Sequence, residues 1–174
     1  SSGATPEMAF FQLTCLMSPR HPVPQEWEQA FWALTACRRR QLQPHVVVYN
    51  ALISTLAKCR WELALLIFLE LELDVWPDVI SYNAIINACA AGSYWQGALC
   101  FLTTAQEALV QCDVITYNAA MSSFETEGHW QEALALLTDM INCALLPDVI
   151  SFDTAMSACD KAEKWQEALE LLAK

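Results

Sequence analysis

From residue 46 onward the apolar positions come in blocks, divided by short polar stretches or by Pro and Gly. Inside a block the spacing is helical. Tyr82, Ile85, Ile86 and Cys89 stand at i, i+3, i+4 and i+7, which is one face of a helix. Some blocks open on branched residues (Val46-Val47-Val48, Val79-Ile80, Val114-Ile115, Val149-Ile150) that read locally as strands, but the period that follows is that of a helix. The pattern predicts a first helix, A, that ends near Gly92 or Gly128. A second, B, begins close to a Trp and carries an apolar stripe such as Leu134, Leu136 and Leu137. Each A–B pair makes a helical hairpin.

The hairpins recur. Trp27, Trp61, Trp95, Trp130 and Trp165 are 34 or 35 residues apart, and they open the similar runs Trp27-Glu28-Gln29-Ala30, Trp61-Glu62-Leu63-Ala64, Trp95-Gln96-Gly97-Ala98, Trp130-Gln131-Glu132-Ala133 and Trp165-Gln166-Glu167-Ala168. A fixed period of that size marks a stacked repeat array. The Trp is expected to be a large buried anchor. Helix A is introduced by Pro77-Asp78, Cys112-Asp113 or Pro147-Asp148. Pro stops the preceding helix, and Asp accepts the unpaired N–H groups of the next one. The expected architecture is an all-α solenoid of about five hairpins. Residues 1–10 form a tail and 11–45 a degenerate unit broken by Pro19, Pro22 and Pro24. Repeats follow at 46–78, 79–113 and 114–148, with an incomplete one at 149–174. The chain starts Ser1-Ser2-Gly3 and stops inside a helix B, so we expect either a longer natural array or a partner over that end.

The recurring Tyr-Asn-Ala, the 35-residue period and the closing Pro-Asp-Val resemble the pentatricopeptide repeat family, strongly over 46–174 and weakly over 11–45. That resemblance implies an organellar, single-stranded-RNA-binding solenoid that takes one base per repeat. An Asn after the helix-A aromatic and the Asp closing the repeat read the base edge together. Here the pairs are Asn50 with Asp78, Asn83 with Asp113, and Asn118 with Asp148, a combination that in the family favours uracil. The aliphatics that sandwich bases are Val47, Ile80, Ile115 and Ile150, and a Lys near the end of helix A, Lys58 or Lys161, takes a phosphate. The last repeat departs from the pattern, because Asp153 stands where Asn is needed and a carboxylate cannot donate to a base carbonyl. The first unit departs too, with Cys15 and His45 in the paired places.

Charge complicates the RNA reading. The net charge is −11, and residues 61–160 hold fourteen acids with no Lys or Arg. Phosphate contacts supply much of nucleic-acid affinity, yet the central repeats have Ala91 and Thr126 in the Lys place, with Glu125 and Glu127 nearby. Bases gather instead at Arg38-Arg39-Arg40, where they suit a helix C-terminus or a docking site. Leu69, Leu71, Leu73, Val75 and Trp76 alternate with acids and exceed what one helix face can bury, which suggests a surface for protein. The sequence therefore puts first a non-catalytic scaffold that docks onto protein subunits of a large organellar assembly. Such subunits would offer basic or apolar surfaces. A reader of a short U-rich single strand is the alternative.

Other classes find little support. The eight Cys show no C-x-x-C pair and no zinc spacing with His21, His45 or His129, so no metal or cofactor is expected, and Cys89 and Cys159 fall on apolar helix faces. The apolar run Leu63–Leu69 is too short for a membrane span and is cut by Glu70, Glu72 and Asp74. No nucleophile elbow, P-loop or HExxH motif is present.

Overall fold

A computed structural model describes residues 32, 34–37, 39, 40, 43–125, 128–164 and 166. The expected tail, most of the degenerate unit with its three Pro and Trp27, as well as Arg38, Thr126, Glu127 and Trp165, lie outside the described residues. Residues 34–37 are helical, and seven helices with described bounds then follow one another: α1 (Val46–Ala57), α2 (Trp61–Asp74), α3 (Val79–Ala91), α4 (Trp95–Glu107), α5 (Val114–Glu125), α6 (Trp130–Asn142) and α7 (Val149–Lys161). Odd-numbered helices are of type A and even-numbered ones of type B. Each A helix packs on its own B helix and on the next A helix. The B helices α2 and α4 meet through Phe68 and Phe101, whose ring centroids are 5.1 Å apart. The array is an all-α solenoid, closer-packed along its A helices, which puts them on the concave side.

Local chemistry sets the helix starts. His45 caps α1, its Nδ1 accepting from the Val47 N–H at 3.3 Å. Asp78 and Asp148 cap α3 and α7 through reciprocal boxes with Ser81 and Ser151. Asp113 does the same for α5 with Thr116: the Thr116 N–H donates to Asp113 Oδ1 (2.9 Å) and the Asp113 N–H donates to Thr116 Oγ1 (3.2 Å). Each such cap is worth about 1 kcal/mol. From α3 onward the turns repeat too. Ser93, Gly128 and Glu163 after the A helices, and Leu109 and Ala144 after the B helices, all have φ between 55° and 68°. Only Gly128 meets that left-handed backbone without a Cβ, so the other four hold strain of roughly 1–3 kcal/mol each.

Two expectations need correction. The repeat Trp residues are half-buried, not engulfed. Each rests on the A–B turn of the following hairpin, at the edge of the stack. Trp61 lies against Gly92, where a Cβ would collide with its ring, and against Tyr94 at 5.7 Å. Trp95 stacks on His129 at 4.5 Å, and Lys164 sits over Trp130 at 5.9 Å. The second correction concerns Leu71, which is fully buried. The alternation Leu69-Leu71-Leu73 would share one face of a strand. On a helix, Leu71 is four residues from Ile67 and three from Phe68, both also fully buried, so it joins the core while Leu69 and Leu73 point away. Cys89 and Cys159 are in the core as expected, and burial pushes the Cys89 thiol up to about 12.

Candidate functional site

One stripe repeats on every A helix at spacing i, i+3, i+7, i+11. It runs Val47, Asn50, Ser54, Lys58 on α1 and Ile80, Asn83, Asn87, Ala91 on α3. On α5 it begins Ile115, Asn118, Ser122, and on α7 it reads Ile150, Asp153, Ser157, Lys161. Stacking the A helices lays these stripes side by side. The four aliphatics form a row with nearly identical exposure: Val47 62%, Ile80 61%, Ile115 63% and Ile150 60%. A branched apolar side chain left so open at four equivalent places is not a packing residue. Between α1 and α3 the stripes border an open groove lined by Ser54, Ala57, Lys58, Ala84, Asn87 and Ala91.

The Asn and Asp residues meet across the hairpin junctions. Asn50 Nδ2 donates to Asp78 Oδ1 at 3.0 Å, and Asn118 Nδ2 donates to Asp148 Oδ1 at 3.0 Å. The amide oxygens are held as well. The Ser81 hydroxyl donates to Asn50 Oδ1 (2.7 Å) and the Ser151 hydroxyl to Asn118 Oδ1 (2.6 Å). The Asp that caps the helix thus also orients the Asn. A carboxylate retains a second oxygen able to accept from a base N–H, and the amide a second N–H to donate.

The middle pair differs. The Asn83 amide hydrogen-bonds the Asp113 side chain, but Asn83 Oδ1 is buried with no partner. Thr116 stands where the other two junctions have Ser, and its hydroxyl bonds Asp113 Oδ1 at 2.8 Å. Removing an amide satisfied at both ends costs more than removing one with an orphaned carbonyl, by about 1 kcal/mol. Urea melts are therefore expected to show a larger loss for Asn50→Ala than for Asn83→Ala.

The three carboxyls sit below the ordinary Asp range. For Asp78 and Asp113 partial burial works in the opposite direction and is outweighed. The hydrogen bonds responsible come from Ser81 or Thr116 and then from the Asn amide. For Asp148 the Ser151 N–H contributes most, followed by Asn118. These groups present negative charge on the same face as the aliphatic row. Exposed Lys58 and Lys161 are the two cations on the described stripes, one at each end. Asp153 is exposed at the fourth Asn place.

The other expected surface residues are divided. Leu73 and Trp76 are almost fully open at 85% and 90%, Val75 is half-buried, and Leu71 is inside. Arg39 and Arg40 are exposed. The role of Ser81 and Ser151 in orienting the amides of Asn50 and Asn118 was not foreseen, although their fixed place three residues after the Asp was visible. Among the described residues no cluster of His, Cys, Asp and Glu suits a metal ion, and no helix is long and apolar enough to cross a membrane.

Comparison with known proteins places the fold and the family. A model described as a PPR repeat family matches residues 112–161, and one described as a pentatricopeptide repeat domain matches residues 33–91. No curated protein matches the chain. Among solved structures, the pentatricopeptide repeat protein PPR10 in complex with an 18-nucleotide psaJ RNA element superposes with a TM-score of 0.68 and 24% identity. The match covers 80% of this chain and 21% of PPR10, so the chain spans about a fifth of that protein. The PPR domain of Arabidopsis thaliana protein-only RNase P 1, in complex with tRNA, gives a TM-score of 0.75 at 15% identity, over 95% of this chain and 86% of the domain. PPR10 from maize gives 0.66 at 22% identity, over 99% of this chain and 27% of that one. These likenesses show the fold. Together with the two family matches and the stacked hairpins of 35-residue period, they lead to one assignment: the chain belongs to the pentatricopeptide repeat family.

Proposed function

We propose that the chain is a single-stranded RNA-binding module that reads a short U-rich tract along its A helices. The observation that carries this reading is the inner row itself. Four equally exposed aliphatics supply apolar slots for base faces at one per hairpin, and the first three, Val47, Ile80 and Ile115, belong to hairpins whose Asn is bonded to an Asp and offers a donor beside an acceptor. In this arrangement Val47, Ile80, Ile115 and Ile150 hold the bases. Asn50 with Asp78, Asn83 with Asp113, and Asn118 with Asp148 read their edges. Lys58 takes a backbone phosphate. The fold likeness to PPR10 and to the RNase P 1 domain, both described in complex with RNA, supports the same reading. Docking onto subunits of a large organellar assembly, which the charge favoured in the sequence, has no counterpart among those likenesses. An organellar site of action belongs to the proposal and rests on the habit of the family.

Affinity is expected to be modest. Three bases contribute about 1–3 kcal/mol each by stacking, and few phosphates are neutralised. The test is a fluorescence-anisotropy titration with U-rich and A-rich oligonucleotides at low salt. Binding that prefers U, and that Asn83→Ala and Asn118→Ala weaken, is expected. Absence of binding at low salt, or equal binding of the two oligonucleotides, overturns the proposal.

A further inference from the structure

A second surface lies on the B side of the array. Leu66, Leu69 and Leu73 follow one another along α2 in steps of three and four, so they form one stripe, and Glu62 continues it toward the helix start. They are 39%, 52% and 85% exposed, and Trp76, just past the helix end, is 90% exposed. The repeat architecture supplies its own control. Counted from the Trp that opens each B helix, the same three positions are Cys100, Thr103 and Glu107 on α4, and Ala135, Thr138 and Asn142 on α6. All six are exposed. The fold therefore does not require large apolar residues there, and α2 alone among the three has them. Nor are these positions the ones a preceding hairpin covers, because α4 has a described hairpin on each side and still exposes them.

The stripe is edged with acid. Glu70 and Glu72 flank Leu69 and Leu73, Glu62 stands in line with them, and the segment 61–160 contains no Lys or Arg. An apolar strip about two helical turns long, bordered by carboxylates, fits one kind of ligand. That ligand is a helix with apolar residues at i, i+3 or i+4 and i+7 and with Lys or Arg on its flanks. We propose that the outer face of α2, with Leu66, Leu69, Leu73 and Trp76 as contacts, docks a basic amphipathic helix of a partner protein. Trp76 is the aromatic anchor of the site, as such residues are at other interfaces. The face is separate from the A-helix row, so the inference stands apart from RNA reading.

The experiment uses the full 174-residue chain. An 18-residue Leu/Lys peptide with helical apolar spacing is titrated against a scrambled peptide of the same composition and against a Leu/Glu version. The readouts are NMR shifts and Trp fluorescence. The patterned Leu/Lys peptide is expected to bind at least tenfold more tightly than either control and to shift the Trp76 indole and the Leu66, Leu69 and Leu73 methyls. Leu73→Ser and Leu69→Thr, which copy the polar character of the other repeats, are expected to keep the fold by circular dichroism and to remove that preference. Equal binding of patterned and scrambled peptides, shifts confined to other residues, or no binding overturns the proposal. Two further outcomes overturn it in favour of another occupant. Concentration-dependent dimers lost in Leu73→Ser assign the face to a second copy of the chain. Peptide binding that appears only after removal of residues 1–31 assigns it to that segment.

Discussion

Phe68→Ala lowers the stability of the array by about 3–5 kcal/mol, the range for emptying an aromatic core site. Phe68 is fully buried, and its ring meets Tyr82 at 5.4 Å and Phe101 at 5.1 Å, both edge-on. The three rings come from α2, α3 and α4, so a single side chain joins one hairpin to both helices of the next. Stability in a stacked array is approximately a sum of hairpin terms and nearest-neighbour terms. Truncation here removes a neighbour term, and the consequence is specific: the hairpin of α1 and α2 should uncouple from the rest. Urea melts followed by circular dichroism are expected to show a lower midpoint and a broader transition. Hydrogen exchange should rise first in α1 and α2. A small, uniform loss shared by all helices would contradict this account of Phe68.

Ile115→Asp is expected to reduce U-tract binding by about ten- to a hundredfold, the equivalent of one base–side-chain stack. The residue is 63% exposed in the middle of the inner row, so its own burial contributes little to folding. In the proposed mode it touches the bases on either side of it. The substitution removes that apolar wall and places another carboxylate between Asp113 and Asp148, where a polyanion must pass. Anisotropy titration measures the binding, and a parallel melt should differ from the parent by no more than about 0.5 kcal/mol, as for exposed sites generally. Unchanged binding with an unchanged melt would move the RNA surface away from this row.

Much of the fold was legible because its signals are local or periodic. Asp78, Asp113 and Asp148 announce helix starts through their own side chains, and the Trp spacing announces the hairpins. The spacing of the candidate row was legible for the same reason. What escaped the sequence depends on which way a helix turns once it is packed. Leu71 reads like Leu69 and Leu73, and only its relation to Ile67 and Phe68 sends it inward. The Trp residues look like core anchors because of their size, yet their partners are turns 30 or more residues ahead, at the edge of the stack. The unsatisfied Asn83 carbonyl could not be foreseen either. It occurs at the one junction of the three where Thr116 stands in place of Ser, on the helix that follows.

The forward-facing Trp contacts also bear on how such a chain can grow. Trp61 rests on the turn at Gly92, Trp95 on the turn at His129, and Trp130 beneath Lys164. Each hairpin offers a ring ahead of it and a turn behind it, in the same register. A barrel or a sandwich must close on itself, which fixes its number of elements. Here the joint between any two hairpins matches the joint between the next two, so a duplicated unit meets partners of the right shape on both sides. Length in this architecture is an adjustable quantity, and each added hairpin extends the row of exposed aliphatics by one step without disturbing the steps already laid.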